Sequence, residues 1–83
     1  MNFRQLQYAV LVAREQSFSQ VAEKLKITQP ALSKQILNLE KELDVRLFDR
    51  NSVPLTLTPA GEHFIRAAEQ LLYQQEQLLR SME

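Results

Sequence analysis

Residues 28–43 read TQPALSKQILNLEKEL, and how this stretch is taken decides the fold. Thr28 is a good N-cap, because its hydroxyl can accept from a free backbone N–H one turn on. Pro30 falls in the first turn, where a missing N–H costs nothing. Leu32, Ile36, Leu39 and Leu43 then recur at spacings of 4, 3 and 4, which is one stripe of a helix. At 3.6 residues per turn the opposite side carries Pro30, Lys34, Asn38 and Lys41, with Gln29, Ser33 and Gln35 along its edges. One face is apolar; the other holds amides, a hydroxyl and ammonium groups, with no acid before Glu40. Taken alone this is an ordinary amphipathic surface helix, and its neighbours in the chain change that reading.

Upstream, Ser17 caps a short helix, with Gln20 at the capping-box position. Val21, Ala22 and Leu25 face inward and Phe18 plugs the gap between helices. Lys26-Ile27 links this helix to Thr28. A short capped helix, a turn of about three residues and a second capped helix have the spacing of a helix-turn-helix, here about residues 18–37. Such a motif presents the N-terminal end of its second helix to base edges in the major groove. The residues at that end are Thr28, Gln29, Pro30, Ser33 and Lys34, with Asn38 one turn further. Gln can bond an adenine edge, Lys a guanine acceptor, Ser a base or a phosphate, and Pro30 a thymine methyl.

Before this pair, Asn2 caps a first helix with Gln5 in the box position. Phe3, Leu6, Val10 and Ala13 give its buried stripe; Tyr8, Leu11 and Val12 lie off it, available to the chain's own tail or to a second subunit. After Leu43, Leu47 and Phe48 read as core plugs. Asn51-Ser52-Val53-Pro54 has turn chemistry and Leu55 to Thr58 alternates as a short strand, so a two-stranded wing is expected. Arg50 and Asn51 fall at its base, near the path of a DNA backbone. Arg46 and Arg50 have a competing use in ion pairs with Asp44 and Asp49, the favoured reading for Arg46 and an open one for Arg50.

Thr58-Pro59 is a cap followed by proline, opening a helix that runs toward Glu83. Gly61, the only glycine, sits in its first turn, where a close backbone contact is the expected reason for it. Phe64, Ala68, Leu71, Gln75, Leu78 and Met82 recur at spacings of 4, 3, 4, 3 and 4, beside a parallel stripe of Ile65, Ala68, Leu72 and Leu79. This exceeds what a small core can cover. It reads as a dimer seam with Gln75 as a polar register pin, the alternative being a helix packed on its own domain throughout. The expected organisation is therefore a winged unit at 1–58 and a linker or dimerisation helix at 59–83. The lack of a capping residue at the end suggests a piece of something longer.

Composition bounds the rest. Eighty-three residues make one small domain with a marginal core. There is no cysteine, hence no disulfide framework or thiolate metal site, and neither a metal nor a cofactor is expected. No apolar run is long enough to span a bilayer and the start is polar, so a cytoplasmic protein without membrane contact is expected. Ten basic and ten acidic residues cancel, which counts against nucleic-acid binding. The charge is uneven, however: residues 17–38 carry a net +2 and residues 61–83 a net −2. Modest affinity per copy and a need for two copies follow. The single His63 has no triad partner, and Glu40 with Glu42 on a solvated helix face is no acid–base pair, so an enzyme is not expected.

Together these residues resemble the N-terminal DNA-binding domain of LysR-type transcriptional regulators. The pieces that carry the resemblance are Phe3 with Leu6, Ser17-Phe18-Ser19, Val21-Ala22, Leu25, Thr28 through Ile36, Leu39-Glu40, Leu47 through Arg50, and Leu57 through Gly61. They cover nearly the whole chain at the family's spacing. The resemblance implies a mainly α, winged helix-turn-helix fold with a long C-terminal linker helix. It also implies binding to double-stranded DNA as a homodimer, tetramer assembly in a full-length protein, and a small-molecule inducer bound by a C-terminal domain absent from this chain. The family's contacts carry over to Gln29, Pro30, Ser33 and Lys34 in the groove, with Thr28 and Arg50 near phosphates.

Three departures stand out. Lys34 replaces the more frequent Arg and loses a bidentate fork. Val53 and Pro54 hold a wing tip that is commonly basic, and Asp44 stands where Gly often ends the second helix. The rival class is a helical oligomerisation or protein-interaction module without DNA binding, which zero net charge would suit. Salt separates the two, since a DNA binder loses affinity steeply as salt rises.

Overall fold

A computed structural model of the chain describes residues 1–83. Asn2 starts α1 (Phe3–Glu15) with a full capping box: its side chain accepts from Gln5 N–H at 2.8 Å and the Gln5 side chain accepts from Asn2 N–H at 3.2 Å. Ser17 starts α2 (Phe18–Leu25) by accepting from Gln20 N–H at 3.2 Å. The return bond from Gln20 is not made; the Ser17 hydroxyl instead pairs with Ser19 at 3.2 Å. Thr28 caps α3 (Gln29–Leu43) and Thr58 caps α4 (Pro59–Ser81), each accepting from the N–H three residues on. Between them β1 (Phe48–Asp49) pairs antiparallel with β2 (Thr56–Leu57), Phe48 opposite Leu57 and Asp49 opposite Thr56. The strand expected at 55–58 is thus confined to its two central residues, and the Val53–Pro54 bond in the turn is cis.

The first three helices end without glycine, on Gln16, Lys26 and Asp44, all at φ between 53° and 58°. After α2 and α3 the closure is of the Schellman type, with Ile27 N–H donating to Ala22 O at 3.1 Å and Val45 N–H to Glu40 O at 3.2 Å. A side chain in the left-handed region is strained, and at Asp44 its negative charge also opposes the partial negative charge of the helix end. Asp44→Gly is therefore expected to stabilise the chain by about 1 kcal/mol. Urea denaturation reads this as a higher midpoint at constant slope; a lower midpoint would mean that the Asp44 side chain has a favourable partner.

The core lies where α1 packs on α2, α3 and α4. Leu32, Ile36 and Leu39 are fully buried, as the α3 stripe predicts, and Leu43 is half-buried. Phe18 packs its ring edge-on to Phe48, centroids 5.8 Å apart, and so plugs the gap between α2 and the wing. On α1 the expectation needs correction. Phe3 is exposed, while Ala9 and Val12 are buried with Leu6 and Val10. Being packed on three helices, α1 buries more than one face, and its capped first turn lies outside the core. Tyr8 and Leu11 turn to the chain's own tail, lining a cleft with Leu72 and Tyr73 of α4.

Gly61 meets its expectation. A Cβ built there would lie 1.9 Å from Leu47 O, so α4 touches the backbone entering β1 with no room for a side chain. The same carbonyl accepts from Thr58 N–H at 3.0 Å. The first turns of α4 are thereby part of the winged core, with Ile65 and Ala68 buried. Beyond Gln75 the helix leaves that core, and Leu78, Leu79 and Met82 are 62%, 64% and 75% exposed.

Candidate nucleic-acid interface

The second helix of the motif stands clear of the rest of the chain along one side. Thr28, Gln29, Pro30, Lys34, Asn38 and Lys41 are all exposed. Pro30, Ser33, Lys34, Leu37, Asn38 and Lys41 line one shallow depression on the outer surface of α3. Lys34 makes no ion pair, in contrast to Lys24, which is held by Glu15 at 2.9 Å. Leu37, 45% exposed, lies on this surface among polar groups. The helical spacing from Pro30 and Lys34 already puts it there, yet the sequence reading did not single it out. The three-residue turn Lys26–Thr28 joins α2 to α3, and half-buried Ile27 anchors it.

The wing base is built from charge. Arg46 forms none of the ion pairs expected with Asp44 or Asp49; all three residues are exposed, and the Asp49 carboxylate instead accepts from the backbone N–H of Asn51. Arg50 is paired, but with a residue that sequence reasoning placed on a solvated face. Glu40 is 5% exposed, so the solvated description is wrong for it. Its Oε2 accepts from Leu47 N–H at 2.7 Å and Phe48 N–H at 3.3 Å, and its Oε1 accepts from Arg50 Nη2 at 3.4 Å. The chain folding back after α3 brings these donors over the helix end and covers the carboxylate. Buried backbone N–H groups need such acceptors. The only sequence signal is position, since Glu40 lies next to Leu39 at the edge of the apolar stripe.

Arg50 then reaches two more groups. Its Nη1 donates to Ser33 Oγ at 3.0 Å, and its guanidinium carbon stands 4.4 Å over the Phe18 ring. Its side chain is 25% exposed, so one edge still faces outward. Of the residues expected to meet DNA, Thr28, Gln29, Pro30, Ser33, Lys34 and Asn38 thus share one helix surface, and Arg50 is tied to it through Ser33. Asn51 sits apart, in a turn where its N–H donates to Asp49 Oδ1 at 3.0 Å and its side chain is exposed. The wing tip carries Val53, 97% exposed, and no cation.

Along α4 the expected seam divides. Ala68 is buried, Phe64 and Leu72 are half-buried against the chain's own core and Gln75 is half-buried, whereas Leu71, Leu78, Leu79 and Met82 are exposed. His63 is exposed as well, with no acid or nucleophile bonded to it. No helix is long and apolar enough to cross a membrane.

Comparison with known proteins bears on this geometry. Residues 3–62 match the model for bacterial regulatory helix-turn-helix proteins of the lysR family. YcgK of Bacillus subtilis, an uncharacterized HTH-type transcriptional regulator, is 46% identical over 83 residues, which is 100% of this chain and 26% of that protein. The HTH-type transcriptional regulator BenM of Acinetobacter baylyi is 47% identical over 79 residues, covering 95% of this chain and 26% of that one. This chain therefore spans about a quarter of the length of the curated relatives it matches. Among solved structures, the BenM DNA-binding domain in complex with benA site 1 DNA superposes with a TM-score of 0.95 at 45% identity, covering 99% of this chain and 92% of that one. Full-length BenM carrying R156H gives a TM-score of 0.95 over 99% of this chain and 27% of its own.

Proposed function

We propose that this chain, which belongs to the lysR family of bacterial regulatory helix-turn-helix proteins, binds a pseudo-palindromic DNA operator as a dimer and regulates transcription from it. The observation that carries the reading is the exposed row Gln29, Pro30, Lys34 and Asn38 on a capped helix, with Lys34 unpaired. Thr28 caps the start of this row and Arg50 flanks it beside Ser33, both proposed to meet phosphates, and Asn51 on the separate wing turn is proposed as a further backbone contact. The BenM domain that superposes on this chain was solved bound to DNA, and its likeness supports the same use here. By role, residues 1–58 read and residues 59–83 join. The protein is taken as cytoplasmic and non-enzymatic, needing no cofactor. Tetramer assembly and a small-molecule inducer belong to an effector domain outside this chain.

Zero net charge makes the affinity of one copy modest, so the two half-sites of a dimer have to act together. Lys34→Ala is expected to weaken binding about tenfold on a duplex selected from a random pool and to lower the salt slope by about one. Fluorescence anisotropy at several salt concentrations measures both. Equal affinity for wild type and variant would remove Lys34 from the interface. No duplex binding at any salt would favour the interaction-module reading instead.

The seam is proposed to run along exposed Leu71, Leu78, Leu79 and Met82, flanked by half-buried Phe64, Leu72 and Gln75; Ala68 of the expected seam is buried in the chain's own core and drops out of it. Because Gly61, Ile65 and Ala68 belong to the core, deleting the whole of α4 would unfold the chain rather than test the seam. Leu78→Glu with Leu79→Glu leaves the core intact and places charge on surface that only a partner would cover. Sedimentation is expected to show a monomer that keeps the helical circular-dichroism spectrum of the folded chain, with a thermal midpoint that no longer depends on protein concentration. A dimer that survives both substitutions would move the interface elsewhere.

A further inference from the structure

Arg50 at the wing base joins two residues of α3, Glu40 and Ser33, into one hydrogen-bonded line that ends at the α3 surface. Glu40, buried, accepts from Arg50 at 3.4 Å, and Arg50 donates to Ser33 Oγ at 3.0 Å. A guanidinium has donors only, so in this contact the serine oxygen must accept. The Ser33 hydroxyl hydrogen takes no partner within the chain. The cation beside the oxygen draws density from it, which strengthens its O–H as a donor and weakens it as an acceptor. Ser33 lies between exposed Pro30 and Lys34 on the outer surface of α3. A serine there would ordinarily serve donors and acceptors alike.

We propose that Glu40 is a positioning residue for base readout: acting through Arg50, it commits the Ser33 hydroxyl to donate, so the base edge opposite Ser33 presents an acceptor. Purine N7, guanine O6 and thymine O4 qualify, and the cytosine amino group does not. This rests on α3 being the groove helix. Glu40 itself touches no DNA. Its two carboxylate oxygens divide the work, Oε2 holding the wing backbone at Leu47 and Phe48 and Oε1 holding Arg50. Glutamine can keep the first arm with its carbonyl oxygen and must turn its amide donors toward the guanidinium, which cuts the second.

The test uses the duplex selected by wild type and a panel of its single-base-pair variants, titrated with wild type, Glu40→Gln, Ser33→Ala and the double variant. Wild type should reject a donor at one base pair per half-site by roughly tenfold. Glu40→Gln and Ser33→Ala should each lose that discrimination at the same pair, and the double variant should lose no more than either. Arg50→Lys, which keeps the charge and cannot fork to both partners, should lose it too, and this variant with Ser33→Ala decides the matter if Glu40→Gln does not fold. Discrimination retained in Glu40→Gln, additive losses, or a loss spread uniformly over all sequences would overturn the proposal. If wild type shows no base preference anywhere, the operator-binding reading falls with it; preferences that survive every variant sink the Glu40 role alone.

Discussion

Gly61→Ala is expected to lower stability by about 3 kcal/mol or more, the upper range for overpacking a core. The added Cβ would stand 1.9 Å from Leu47 O and 2.8 Å from Leu47 C, and both are backbone atoms. A flexible side chain could swing aside; a carbonyl that also accepts from Thr58 N–H cannot move without loosening the start of α4. The strain therefore propagates into the junction that holds wing to linker helix. For a domain this size the thermal midpoint should fall by more than about 12 °C. Circular dichroism on heating measures it, and a fall of under about 3 °C would mean that α4 can slide away from β1 freely.

Glu40→Ala should be nearly as damaging, at about 3 kcal/mol. The pair it breaks is lopsided, Glu40 being 5% exposed and the Arg50 side chain 25%. Removing the carboxylate leaves a largely buried cation over the Phe18 ring and takes the acceptor from Leu47 and Phe48 N–H in one step. Loss of one partner of a buried pair costs more than the pair itself contributes, because the other charge stays desolvated. Glu42→Ala is the control two residues on. Glu42 pairs with the Met1 ammonium at 2.6 Å on the surface, where such contacts are worth under about 1 kcal/mol. Midpoints within about 2 °C of each other for the two variants would show that the Glu40 network carries no stability.

Much of the candidate interface is legible in the residue order. The caps Asn2, Ser17, Thr28 and Thr58, the α3 stripe and the exposure of Pro30, Lys34 and Asn38 follow from spacing and local hydrogen bonding. These features involve residues three or four apart, and neighbours at that distance meet in any helix. Phe3 and Val12 depart from the stripe expected on α1, because one stripe cannot describe a helix that touches three others. The ion pair favoured for Arg46 fails, and the question left open for Arg50 is answered by neither nearby acid, for a related reason. Asp44 and Asp49 are near in sequence to Arg46 and Arg50, but the acceptor that Arg50 finds lies ten residues back on α3.

What the residue order determined by itself is a capped helix-turn-helix, a wing signal and a surplus of apolar surface on the last helix, all consequences of 3.6-residue periodicity and end-capping. What only the tertiary structure decided is that Glu40 is interior, that Arg50 links it to Ser33, and that Gly61 lies against Leu47. Each of these depends on the path by which the backbone returns over the end of α3. Burial of a carboxylate, the choice of its cation and the room left for a Cβ are set by atoms that path brings together, and no local pattern encodes them.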